Sequence, residues 1–121
     1  MSIYRENILE HWKNPRNFGK IKNPSQKSYA VNPSCGDELT LELLLKDDQI
    51  KEIRFSGNGC AISLASASLL TDYLKGKRVV VMKEVNQETI LKLLGVPIGP
   101  SRLKCATLIL GALKKITTND Q

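Results

Sequence analysis

The stretch Leu39-Thr40-Leu41-Glu42-Leu43-Leu44-Leu45-Lys46-Asp47-Asp48-Gln49-Ile50-Lys51-Glu52-Ile53-Arg54-Phe55 decides the fold. Leucines at 39, 41, 43 and 45 recur with the period of two that puts alternate side chains on one face of a strand. Asp47-Asp48-Gln49 breaks that pattern as a turn, and Ile50–Phe55 returns with Ile53 and Phe55 on a common face. A short run, Ser28–Asn32, precedes this pair. The three segments predict an antiparallel three-stranded meander with one buried face.

Outward from the meander the period changes. Cys60–Leu74 is rich in Ala, Leu and Ser, holds no Pro or Gly, and stops at Gly76, which predicts a largely buried helix. Residues 86–94 read as a shorter helix between an Asn86 cap and Gly95. Residues 102–116 read as one last helix entered through Pro97 and Pro100. At the other end, Ile3, Ile8, Leu9 and Trp12 mark an apolar side of a helix over 3–13, which Asn14-Pro15 terminates because the residue before proline is forced out of the helical region. A loop then runs to about Lys27. The order predicts an α+β fold, a small three-stranded antiparallel sheet with helices packed on one face, and residues 1–121 as a single domain.

The 121 residues are 41% hydrophobic, 25% charged and only 5% aromatic, so the core must come from aliphatic side chains. No apolar run approaches the roughly 20 residues a membrane helix needs, and the first residues carry no apolar signal core. These features predict a cytoplasmic protein whose thiols stay reduced and serve chemistry rather than crosslinking. The net charge is +6, and Lys13, Arg16, Lys20, Lys22 and Lys27 are gathered in one stretch. Such a stretch is either a solvated segment or a surface for an acidic protein. No recognition helix or aromatic-interleaved basic strip accompanies it, which argues against nucleic acid.

The three cysteines share a kind of position. Cys35 lies in Asn32-Pro33-Ser34-Cys35-Gly36-Asp37 between two strands. Cys60 follows Gly57-Asn58-Gly59, and Cys105 follows Pro100-Ser101-Arg102-Leu103-Lys104. Any one alone reads equally as a small buried hydrophobe. Three at element ends beside Gly or Pro read better as a convergent site. Cys60 and Cys105 are both predicted in a first helical turn, where the dipole and free N–H groups favour the thiolate; Lys104 adds a positive charge. Asp37 is two residues from Cys35 and reads either as a fourth ligand or as a turn residue. His11, the one histidine, reads as a surface or packing residue.

These residues carry a resemblance. Asn14-Pro15-Arg16-Asn17-Phe18-Gly19, Asn32–Asp37, Gly57–Ser68 and Arg102-Leu103-Lys104-Cys105-Ala106 resemble, in order, the motifs of the iron–sulfur cluster assembly scaffolds that include IscU, SufU and the N-terminal domain of NifU. The resemblance implies a SufE/NifU-like fold with Cys35, Asp37, Cys60 and Cys105 as ligands of zinc or a [2Fe–2S] cluster. It further implies a cysteine desulfurase as sulfur donor and apo-proteins as downstream acceptors. Lys104 stands where IscU-type members have His, and Arg102-x-Lys104-Cys105-Ala106 follows the SufU type. The 45 positions between Cys60 and Cys105 match the shorter IscU-type spacing.

Three readings follow. In the first, the chain is a scaffold on which sulfur is accepted and a cluster assembled or relayed, with no enzymatic turnover of its own beyond sulfur transfer. Thiolates suit the cluster, and the carboxylate is its weakest ligand. In the second, tetrahedral zinc occupies the same four residues and one thiolate takes sulfur from the desulfurase. In the third, zinc merely stabilises an interaction module, which would unfold on chelation.

Overall fold

The computed structural model describes the backbone of residues 3–119 and the side chains of residues 5–118. In chain order the elements are α1 (Ile3–Lys13), β1 (Gln26–Asn32), β2 (Asp37–Lys46), β3 (Gln49–Asn58), α2 (Ala61–Leu74), α3 (Val79–Glu84), α4 (Gln87–Leu94), α5 (Pro100–Ala106) and α6 (Leu108–Asn119). The strands form one antiparallel sheet in the order β1-β2-β3. The α+β architecture is the one the alternating leucines predict, although each strand is longer than its apolar core.

Register explains which face is buried. Ala30 lies opposite Leu39, Leu41 opposite Phe55 and Leu43 opposite Ile53, and residues directly opposite each other share a face. That face is covered by α2, which packs on β3, and by α6, which packs on β1 and β2. Ile109, Ala112 and Leu113 of α6 and Ala65 and Leu70 of α2 join the strands in one hydrophobic cluster. Among the described residues, twelve large apolar side chains are essentially solvent-free. At roughly 1.5–3 kcal/mol each for full burial, this aliphatic core, and not the cysteine cluster, is the main source of folding energy.

The outer edge of β3 is closed at both ends. The N–H of Gly19 donates to the Phe55 carbonyl at 2.8 Å and the N–H of Phe55 to the Asn17 carbonyl at 2.9 Å. At the other end Ile50 exchanges backbone bonds with Gly76 and Lys77. An exposed strand edge invites foreign pairing; here the loop after α1 and the turn after α2 occupy it.

Two expectations need correction. The packed side of α1 is not the Leu9–Trp12 side, because Leu9 and Trp12 remain 39% and 40% exposed while Ile8 and His11 are buried. Ile3's side chain lies outside the described residues. Ile8 and His11 stand one turn apart on the side facing α2, whose small Ala and Ser residues admit a close approach. His11 is therefore a packing residue: its Nδ1 lies 2.6 Å from Ser68 Oγ. The last helix, in turn, is two helices. Thr107 interrupts it with φ −103° and ψ 8°, and its hydroxyl donates to the Leu103 carbonyl at 2.9 Å, a back-bond that bends helices. The structure also adds α3, over Val79–Glu84, where three successive valines give no helical signal.

Candidate metal centre

Each candidate residue is placed by a local feature of the chain. Between β1 and β2 the N–H groups of Cys35 and Gly36 both donate to the Asn32 carbonyl, at 3.3 and 2.9 Å. Gly36 takes φ +79°, a left-handed conformation that favours glycine. The tight turn leaves Cys35 exposed and starts β2 at Asp37 on the buried face. The backbone is thus not extended through Cys35–Asp37; the glycine reverses it instead.

Cys60 is the N-cap of α2, with extended φ −73° and ψ 172°. It is delivered there by Gly57, where a Cβ would stand 2.2 Å from the Glu38 carbonyl oxygen. Only a residue without a side chain lets β3 lie so close to β2 just before the cysteine. Cys105, expected in a first helical turn, is in the last turn of α5, so the favourable end of the helix dipole does not act on it.

The four residues meet at one end of the sheet. Ligand atoms of Cys35, Asp37 and Cys105 all lie within 4.8 Å of one another. Cys60 is outside that mutually close set; its Sγ lies 3.5 Å from the Ser63 hydroxyl that donates to Asp37. Asp37 is only 6% exposed. Burial pushes its carboxyl up, but hydrogen bonds from the Ser63 hydroxyl, the Cys60 N–H and the Cys35 and Cys60 thiols outweigh that, leaving it below the usual carboxylate range. Cys105 behaves oppositely. Burial first, then the hydrogen bond with Cys60 and the negative charge of Cys60, Cys35 and Asp37, push its thiol up to about 12. The expected thiolate-favouring environment at Cys105 is therefore corrected: its neighbours are themselves acids. Three thiols and a carboxylate crowded in this way are a donor set that fits a tetrahedral zinc or cluster iron, since a cation removes the mutual repulsion.

Ser63 is a residue the sequence reading overlooked. It donates to Asp37 Oδ2 at 2.6 Å and lies 3.5 Å from Cys60 Sγ. Its position three after Cys60, one helical turn on, was the available signal. Two grooves flank the cluster. One, of about 520 Å³, runs between β1 and α6 past Ser34, Lys104 and Lys115. The other, of about 540 Å³, runs past Leu9, Ile62 and Val96 between Arg5 and Arg102. Among the described residues no carboxylate lines either groove.

The profile of the NifU-like N terminal domain family matches residues 3–119. The chain belongs to that family. Within the NifU-like N terminal domain family it is 38% identical to the zinc-dependent sulfurtransferase SufU of Bacillus subtilis, across 99% of this chain and 92% of that protein. It is 31% identical to the iron–sulfur cluster assembly scaffold protein IscU 1 of Archaeoglobus fulgidus, across 93% of this chain and 73% of the relative. Among solved structures, a SUF-system scaffold described as putative, from Fervidobacterium islandicum, superimposes with a TM-score of 0.78 at 30% identity, over 95% of this chain and 94% of that one. The alignment with the Bacillus protein extends over 137 positions, more than the 121 residues present here, so this family member lacks residues that the relative carries. Among the described residues no helix is long and apolar enough to cross a membrane.

Proposed function

We propose that the chain is an iron–sulfur cluster assembly protein of the cytoplasm that accepts sulfur from a cysteine desulfurase and assembles or relays a cluster on Cys35, Asp37, Cys60 and Cys105. The observation that carries this reading is the convergence of Cys35, Asp37 and Cys105, far apart in sequence, to within 4.8 Å. Relatives named as assembly scaffolds and as a zinc-dependent sulfurtransferase support it. One hydrophobic cluster running from α1 to α6 supports reading residues 1–121 as a single domain.

Cys35 is the exposed thiol of the three, Cys60 and Cys105 being half-buried, and we assign it the first contact with the donor. As thiolate it attacks the outer sulfur of the desulfurase persulfide. A new S–S bond forms on Cys35, the old one breaks, and the desulfurase cysteine leaves as thiolate. No net oxidation occurs. Basic grooves on both sides of the cluster suit an acidic partner surface. Iron and sulfide are substrates here, and the carboxylate is the donor most easily surrendered on release to apo-proteins.

The zinc-dependent acceptor is the second reading, favoured by Lys104 in the SufU-type motif and by the identity to the Bacillus protein. In that case Cys35, Asp37, Cys60 and Cys105 would hold the ion, which supplies a site that keeps thiolates ionised at neutral pH. The interaction-module reading is disfavoured because a continuous aliphatic core is buried without any ion to hold it. Metal content and visible absorption of anaerobically purified protein, with and without a desulfurase, decide among them. Tight zinc with strong desulfurase stimulation selects the acceptor, and a reconstituted chromophore without zinc selects the scaffold. Neither a metal nor a chromophore, with Cys35→Ser still taking sulfur, would overturn both.

A further inference from the structure

Ser63 has no exposed surface and occupies the third position of α2. Its hydroxyl carries one proton and two lone pairs. The proton is directed at Asp37 Oδ2, 2.6 Å away, because a carboxylate is the better acceptor than the Cys60 sulfur at 3.5 Å. Gly59 removes any slack. A Cβ there would stand 2.9 Å from Ser63 Cβ and 3.5 Å from Asp37 Cγ, so the serine and the carboxylate are packed together against bare backbone.

We propose that Ser63 is a positioning residue of the metal site: by fastening Oδ2 of Asp37, alongside the Cys60 N–H, it fixes how the carboxylate is presented to Cys35 and Cys105 and biases Asp37 toward one-oxygen, exchangeable ligation. The inference rests on the reading of Cys35, Asp37, Cys60 and Cys105 as ligands and adds what orients the weakest of them. Without the hydroxyl the carboxylate keeps only the Cys60 N–H and the thiols as partners, and its orientation toward the cluster is less closely held. Partners that orient a ligand in this way typically carry about 10–100-fold in metal affinity.

Zinc alone is the probe, titrated into metal-free protein in competition with a chromophoric chelator. Ser63→Ala is expected to bind zinc about 10–100-fold more weakly than wild type. Asp37→Ala is expected to lose more, and the double variant no more than Asp37→Ala alone, because Ser63 acts through Asp37. Ser63→Thr, which keeps the hydroxyl, is expected to fall between wild type and Ser63→Ala; circular dichroism of the metal-free variants checks that each is folded. Unchanged affinity in Ser63→Ala, or losses that add in the double variant, overturn the proposal. A second measurement needs no metal: the Ser63 hydroxyl proton should be visible by NMR as slowly exchanging and should vanish in Asp37→Ala. A fast-exchanging hydroxyl overturns the fastening itself. A protected hydroxyl in a protein that takes neither zinc nor cluster overturns the metal role of Ser63 and shows that the functional reading has failed, not the bond.

Discussion

Strand β2 carries two buried carboxylates on opposite faces, and only one of them belongs to the candidate site. Asp37 opens the strand on the helix-covered side. Glu42, five residues on, faces the other way and is equally buried. Each accepts a 2.6 Å hydrogen bond, Asp37 from Ser63 and Glu42 from the backbone N–H of Ile21. What differs is the remaining company. Glu42 has Lys27 at 3.9 Å, a cation supplied by the chain, so its charge is answered within the fold. Asp37 has thiols. A buried acid whose other neighbours are acids is a site waiting for a cation from outside, whereas one matched by the chain's own lysine is a clasp. Here the clasp holds the loop between α1 and β1 across the back of the sheet.

Exchanging the two acids for alanine should separate these roles. Asp37→Ala is expected to lower zinc affinity by more than the roughly 10–100-fold that loss of an outer partner costs, and also to cost the metal-free fold about 1–3 kcal/mol by leaving the buried Ser63 hydroxyl without its acceptor. In a reconstituted cluster the same change is expected to lengthen lifetime, because the most exchangeable ligand has gone; faster decay of the anaerobic chromophore would contradict the assignment. Glu42→Ala is expected to affect stability alone. It leaves the Ile21 N–H unsatisfied and costs about 1–3 kcal/mol of stability, read by urea unfolding, with zinc affinity as in wild type. If Glu42→Ala weakened zinc as much as Asp37→Ala, the contrast between the two faces would be broken.

Much of this was legible in advance, and the exceptions have physical causes. The period of two in β2 and the Gly-Asn-Gly before Cys60 are local signals, and local signals survive into the structure. The same holds for Asn86, whose side chain accepts the Thr89 N–H at 3.0 Å as a helix cap. Element ends and the resemblance point to convergence of Cys35, Asp37, Cys60 and Cys105; the chain brings ligand atoms of Cys35, Asp37 and Cys105 within 4.8 Å of one another, and Cys60 lies outside that set. The environment of Cys105 was misread because its helix breaks at Thr107, and a hydroxyl back-bond inside a run with no Pro or Gly leaves no mark in composition. The packed side of α1 was misread because Trp12 and Leu9 look like core residues, while the true contact uses a histidine. Ser63 escaped notice because a serine in a Ser- and Ala-rich helix is ordinary until its hydroxyl is seen against a carboxylate.

His11 extends the comparison to a buried base. Burial first, then Arg16, hold its imidazole below the ordinary histidine range, against opposing pulls from Asp72 and Glu10. Ser68 Oγ already accepts the Arg16 N–H at 2.8 Å, so its own proton is best given to His11 Nδ1, which fits the neutral ring. The folded state therefore binds this proton less readily than the unfolded chain. The stability tied to the neutral ring is fully present above the ordinary histidine value of about 6.5 and is lost as pH falls from there through the lowered folded-state value. Melting temperatures measured from pH 7.5 to 5.5 should show a decline that His11→Gln removes. A pH-independent melting temperature across that range would place His11 with the fully answered groups such as Glu42.

The smallest effect concerns the acids just past the other end of β2. Asp47 and Asp48 form the two-residue hairpin turn, at φ 53° and 66°, both in the left-handed region that the chain usually gives to Asn-Gly. Asp48 gains only an exposed contact, a 3.3 Å pair with Arg78, of the kind whose median contribution is about 0–1 kcal/mol. Its backbone carbonyl, which accepts the Val79 N–H at 2.9 Å, does not depend on the side chain. Asp47→Asn combined with Asp48→Gly should therefore raise stability by about 0.5 kcal/mol, measured by urea unfolding at two salt concentrations. A loss of stability that shrinks in high salt would mean that the Asp48–Arg78 pair outweighs the backbone strain. An acid in the turn after β2 would then stabilise the fold from the surface as Glu42 does from the interior, and burial would cease to be what distinguishes them.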